Sequence, residues 1–359
     1  MKREKTNDLI AVVGAGLVGS GWAIVFARAG FNVSLFDSVP GASERAYDLI
    51  GQRLQDLYEA TLVTEPAKIH ARIRIASSLA EALDGAVYVQ ESVFERVDVK
   101  TLLMQEIDAV VGANTWIGSS SSGIGASHYT EHIACRDRCL VAHPVNPPYL
   151  APIVELVPAP WTSPETVKGV RALMERVGQS PVEMTREAEG FILNRLQGVL
   201  LMEAWRLVEQ GLATVEDVDK TVSQGLGLRW AFMGPFETID LNAPGGIADY
   251  ANRLGGLYQS IAASTTEHQV WDAALIKKVE AQRRDMLPIG DLASRQAWRD
   301  RRLMALAKHK RDGDKSDADA DTDTDTDTDT DTDTDTDTDT DTDTDTEANV
   351  NAKNDLAGY

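Results

Sequence analysis

The chain has 359 residues, of which 43% are hydrophobic, so it can hold two domains and bury a large core. Its formal charge of −21 is unevenly spread: residues 312–359 carry eighteen Asp and one Glu against two Lys, a net −17, which leaves −4 on residues 1–311. The body is mildly acidic without a concentrated basic patch, which argues against nucleic acid as a partner, and no apolar run approaches the ~18–20 residues of a membrane span.

The first residues, MKREKTNDL, lead straight into a strand with no apolar signal core. Cys135 and Cys139 lack companions for a metal site, so the expectation is reduced thiols, no metal and a cytoplasmic protein.

Residues 9–37 read as strand, tight turn, helix, strand. LIAVV suits a parallel strand covered on both faces. It runs into Gly14-Ala15-Gly16-Leu17-Val18-Gly19, where Gly14 permits the turn, Gly16 admits a pyrophosphate and Gly19 lets the helix pack close. The helix opens with its N–H groups aimed at the phosphates. FNVSLF then ends at Asp37, whose carboxylate suits the adenosine ribose hydroxyls and opposes a 2′-phosphate. The cofactor expected is NAD.

Residues 41–84 read as helical and heavily charged. GAVYVQESV (85–93) is the next buried strand, and Glu95 and Lys100 follow its carboxyl end, where doubly wound folds bind ligands. Both are candidates for the cofactor rim; an ordinary surface charge pattern is the alternative. TWIGSSSSG (115–123) is a strand running into four serines, which either decorate a turn or face the nicotinamide end of the cleft.

Two apolar runs, Cys139–Ala142 and Ile153–Val157, flank a Pro-rich turn. His143 ends the first and Glu155 sits inside the second. A carboxylate in an apolar strand needs a partner, and the His143 imidazole is the nearest available. The pair is either a general base with its orienting carboxylate or a satisfied structural contact. A helix with Ser163 as N-cap follows, and PVEMT closes the sheet near residue 185.

After Gly190 the apolar period changes to three and four, and no strand pattern recurs. FILNRLQGVLLMEAWRLVEQG reads as one long helix with Asn194 in its first turns, directed at the cleft. GLGLRWAFMGPFETIDLNAPGG is the least regular stretch and suits a loop over the cleft; helices near 266–285 and 291–310 finish the fold. The organisation expected is a Rossmann-type doubly wound, mostly parallel α/β domain (1–188), an all-α domain (189–311) and a disordered acidic tail (312–359). The tail holds thirteen Asp-Thr pairs and too little apolar surface to offset its ordering entropy.

These residues resemble the 3-hydroxyacyl-CoA dehydrogenase family over nearly all of residues 8–311. The likeness is densest in HPVNPPYLAPIVELVP, in GFILNRLQ with EAWRLVEQG, and in GLGLRWAFMGP. The resemblance implies NAD as cofactor, a homodimer through the helical domain, and catalytic roles for His143, Glu155, Ser122 and Asn194. It assigns the cofactor to Gly14, Gly16, Gly19, Asp37, Glu95 and Lys100, with backbone N–H groups from Leu17 and Val18. Two departures separate the chain from the acyl-CoA branch. The positions where that branch holds coenzyme A with a Ser and a Lys fall near Arg53 and Ala60, and the loop before Met233 is longer and carries Arg229. An Arg fork matches a carboxylate, so Arg229 is the candidate for binding a free acid. The function expected is oxidation of the 3-hydroxyl of a small 3-hydroxy acid, L-gulonate first. The alternatives are a 3-hydroxyacyl-CoA substrate, and a structural protein that keeps the fold without turnover.

Overall fold

Apolar residues alternating along a strand need cover on both faces, and the strand β1 (Leu9–Val13) has it. In the computed structural model Ile10 and Val12 enter one core, Ala11 and Val13 the other. The structure describes residues 8–264 and 271–323. After β1 come α1 (Leu17–Arg28), β2 (Asn32–Phe36), α2 (Ala42–Glu59), α3 (Pro66–His70), β3 (Ile73–Ile75), α4 (Leu79–Leu83), β4 (Ala86–Glu91) and α5 (Val97–Val110). Next are β5 (Trp116–Ser119), α6 (Ser127–Thr130), β6 (Cys139–Pro144), β7 (Ile153–Pro158), α7 (Pro164–Arg176) and β8 (Ser180–Glu183). The eight strands make one sheet in the order β3-β2-β1-β4-β5-β6-β7-β8. β6 and β7 are antiparallel and every other neighbouring pair is parallel.

This is the doubly wound, mostly parallel sheet expected. α1 is buried along most of its length, with Trp22 and Phe26 stacked at 5.3 Å, and α7 adds Val170 and Met174 to the same core. Met104 and Ile107 of α5 cover the opposite face. One strand departs from expectation: β3 lies inside the stretch read as helical throughout. Its three residues pair with Val33–Leu35 at the sheet edge, and so short a run is below what periodicity registers.

No strand follows β8 among the described residues. The remaining elements are α8 (Leu193–Glu209), α9 (Val215–Thr221), a π-helical turn (Val222–Leu226), α10 (Gly227–Trp230), α11 (Pro235–Asp240), α12 (Gly246–Ala263), α13 (Ala273–Met286) and α14 (Leu292–Asp323). Trp205 of α8 stacks on Trp271 at 4.4 Å, and Gln282 of α13 accepts from the Val215 amide. Two expectations change here. The stretch read as a loop over the cleft is mostly helical: α10 ends at Trp230, and Pro235, compatible with a first turn, starts α11 after residues 231–234. The closing helix also runs to Asp323, twelve residues into the segment expected to be disordered, since an established helix gains one bond for each residue added. The rest of the Asp-Thr repeat lies outside the described residues.

Candidate active site

The turn after β1 is built by what it leaves out. Gly14 has φ +102°, and a Cβ there would lie 2.5 Å from the Ser92 carbonyl oxygen. A Cβ at Gly19 would lie 1.8 Å from the Gly14 oxygen, so only glycine lets α1 come this close. At Gly16 nothing lies within 4 Å of a Cβ position, which leaves open space before the first amides of α1, where Leu17 and Val18 stand. Asp37, just past β2, accepts from the Ala15 amide at 2.7 Å and the Val39 amide at 2.8 Å. Its carboxylate is thereby held beside the turn with lone pairs to spare. An open cradle, unpaired helix N–H groups and a fixed carboxylate fit a dinucleotide.

Of the four serines that end and follow β5, Ser119, Ser120 and Ser121 have hydrogen-bonded hydroxyls. Ser119 donates to Glu91, whose two oxygens each receive the Lys100 ammonium at 2.9 Å. Ser120 receives the Trp22 indole N–H at 3.2 Å and the Gln90 amide at 2.8 Å, with the Ser92 hydroxyl at 2.9 Å. Ser121 donates to Glu95, and the same Glu95 oxygen accepts the Ser122, Gly123 and Ile124 amides. Burial acts to raise the Glu95 carboxyl, but the Ser121 hydroxyl, the Gly123 and Ser122 amides and nearby Lys100 outweigh it and hold it below the usual carboxylate range. The Ser122 hydroxyl makes no hydrogen bond among the described residues.

Lys100, expected at the cofactor rim, has its side chain completely buried, bonded to Glu91 and 3.8 Å from Glu95. An ammonium at that depth needs a carboxylate, and Glu91 at the end of β4 provides one. Glu95 itself stays at the surface and organises the serine loop.

His143 and Glu155 face each other across the antiparallel β6–β7 pair, and His143 Nδ1 lies 2.7 Å from Glu155 Oε2. An ionised carboxylate only accepts, so Nδ1 donates and Nε2 is left as the acceptor. The other carboxylate oxygen, Oε1, receives the Ile192 amide at 2.8 Å and the Leu193 amide at 2.9 Å, where α8 begins. Burial would raise the Glu155 carboxyl, but the His143 side chain and these two amides prevail and hold it below the usual range. Asn194, one residue on, donates its amide to the Ser122 carbonyl. The His143–Glu155 pair, the serine loop and the opening of α8 thus meet at one place.

Comparison with known proteins gives this arrangement its context. Residues 9–188 match the 3-hydroxyacyl-CoA dehydrogenase NAD binding domain, and residues 190–283 match the C-terminal domain of the same enzymes. The chain belongs to the 3-hydroxyacyl-CoA dehydrogenase family. It is an NAD-dependent oxidoreductase of that family. It is 40% identical over 307 residues to lambda-crystallin of Oryctolagus cuniculus, covering 84% of this chain and 96% of that protein. It is 36% identical to L-carnitine dehydrogenase of Streptomyces griseus, covering 79% of this chain and 85% of the relative. Among solved structures, a 5-formyl-3-hydroxy-2-methylpyridine 4-carboxylic acid 5-dehydrogenase superposes with a TM-score of 0.71 at 27% identity, covering 85% of this chain and 98% of the other.

In this dehydrogenase Arg229 lies on α10, exposed, and not in a loop. Among the described residues no hydrogen bond or ion pair joins it to His143, Ser122, Asn194 or Glu237. A cavity of about 500 Å³ lies elsewhere, between α2 and α14. Arg53 and Ala60 line one wall; Asp300, Arg301 and Lys308 line the other.

Glu91, Ser120 and Phe191 went unread in the sequence. Glu91 carried a signal, a carboxylate in an apolar strand like Glu155. Ser120 had none, because its partners are 98, 30 and 28 residues away in the chain.

Proposed function

We propose that this dehydrogenase oxidises the 3-hydroxyl of a small free 3-hydroxy acid, with L-gulonate the first candidate, and that His143 is the base. The observation that carries the reading is the buried His143–Glu155 pair, which holds the ring in one tautomer with Nε2 free to take the hydroxyl proton. Glu155 then stabilises the imidazolium. Ser122 and Asn194 fix the reacting oxygen. NAD, when bound, accepts the hydride from the carbinol carbon. Gly14, Gly16, Gly19 and the Leu17 and Val18 amides cradle its phosphates, Asp37 takes the adenosine ribose, and Glu95 borders the nicotinamide end. Lys100 contributes from behind, through Glu91 and Glu95.

A free acid is favoured over a thioester for two reasons. L-carnitine is itself a 3-hydroxy acid, and its named dehydrogenase aligns over most of this chain. Arg53 and Ala60, which stand near where the acyl-CoA branch is expected to hold coenzyme A, look across a cavity at α14. The partner expected is a second copy of the chain, since Leu196, Val199 and Phe236 of the helical region are 63–74% exposed, a large apolar surface for a monomer. A monomeric mass by sedimentation would remove that part of the proposal.

The test is a panel of L-gulonate, L-carnitine, 3-hydroxybutyrate and 3-hydroxybutyryl-CoA, followed by NADH absorbance. The expected result is highest kcat/KM on a free acid, with His143→Ala lower in kcat by ~10²–10⁴-fold and NAD affinity little changed. Preference for the thioester would overturn the substrate class. Tight NAD binding with no turnover of any compound would favour a structural protein.

A further inference from the structure

Residues 184–192 join β8 to α8, and the chain reverses at their end. Gly190 and Phe191 both have left-handed backbones, with φ +75° and +49°. Glycine adopts this at no steric penalty, but phenylalanine does not, and such strain persists only where the surroundings impose it. The Phe191 side chain is completely buried, and its ring centroid lies 5.8 Å from that of His143. Its own amide bonds back to the Ala188 carbonyl at 3.1 Å. Directly after this reversal the chain presents the Ile192 and Leu193 amides to Glu155 Oε1. Those amides open a helix and have no intrahelical acceptor, so the carboxylate meets donors that need one.

One carboxylate therefore has two clients. Oε2 holds the His143 ring and Oε1 holds the start of α8, while the Phe191 ring, one residue before the first of the two amides, stands with its centroid 5.8 Å from that of the imidazole that Glu155 orients. We propose that Phe191 is a positioning residue for His143: its anchored ring and left-handed backbone direct the α8 amides onto Glu155, which fixes the carboxylate that orients the base. This rests on the reading of His143 and Glu155 as the reacting pair. A phenylalanine acting only as core filling would support the fold equally well without this linkage.

The experiment uses the full chain with NAD. Phe191→Gly frees the backbone but removes the ring; Phe191→Leu keeps an apolar anchor. Each is made alone and in a Glu155→Gln background, with kcat read on L-carnitine and L-gulonate. Phe191→Gly is expected to lower kcat on the order of 10²-fold with NAD affinity unchanged, Phe191→Leu to lower it less, and Phe191→Gly to add little once Glu155 is Gln. Losses that multiply across the two backgrounds, or full kcat in Phe191→Gly, would overturn the proposal. If the glycine variant does not fold, the leucine variant carries the same cycle. A second readout needs no substrate: the low-field His143 Nδ1 proton resonance, assigned by its loss in His143→Gln, should broaden or vanish in Phe191→Gly and persist in Phe191→Leu. An unchanged resonance in the folded glycine variant would also overturn it. Wild-type kcat in Glu155→Gln alone would instead sink the reaction proposed for the pair, and the resonance would still decide the role of Phe191.

Discussion

His143 and Glu155 are direct cross-strand partners in the one antiparallel pair of the sheet. In a parallel sheet two strands this close in the chain would need a long crossover between them; reversing β7 brings residues twelve apart to 2.7 Å. The turn between the strands therefore sets the geometry of the His143–Glu155 pair.

The depressed Glu155 carboxyl makes an acid-stability prediction. A carboxylate held lower in the folded than in the unfolded chain contributes stability that is complete above its unfolded value. That contribution is lost as pH falls through the folded value. Glu155→Gln has no such proton to take up, so its melting temperature should fall less steeply with acid than that of the wild type. Parallel melting curves across the acid range would mean that Glu155 is not held ionised by His143 and the α8 amides.

Asp37 should decide the choice of cofactor. Its carboxylate is fixed beside the Gly-rich turn, where a 2′-phosphate would meet like charge. Wild type should prefer NAD, and Asp37→Ala should weaken NAD while narrowing the gap to NADP. Comparable kcat/KM with both cofactors in the wild type would remove this role.

Lys100→Met should destabilise the fold by ~3–5 kcal/mol, because it strands Glu91 as an unpaired buried charge. The double variant Lys100→Met with Glu91→Gln should recover part of that loss. Denaturant unfolding of the two proteins is the measurement, and an undiminished loss in the double variant would refute the pairing argument.

Arg229 carries the sharpest substrate prediction. If its guanidinium receives the carboxylate of a free acid, Arg229→Met should raise KM for L-gulonate by the equivalent of ~1.5–3 kcal/mol. A neutral lactone or ester should be affected far less. Equal losses on the acid and the neutral analogue would return Arg229 to the surface of α10.

The cofactor half of this protein was written locally. The Gly14–Gly19 spacing, the strand before it and Asp37 after β2 sit within thirty residues, and local turn geometry brings them together, so sequence alone pointed to them. His143 and Glu155 were legible for a related reason: a charge in an apolar strand needs a partner, and one lay a turn away. Tertiary structure decided what depended on distant segments. Lys100 left the rim for Glu91 because a buried ammonium follows the nearest buried carboxylate, and only the pairing of β4 with β5 brought Ser119 to both. Ser120 became a hub because α1, β4 and the loop after β5 converge there. Phe191 gave no sign in a helical pattern, since a left-handed backbone and a ring 5.8 Å from a residue forty-eight positions away are properties of the folded chain. Periodicity reports which face of an element is buried; it carries no information on which remote side chain waits beneath that face.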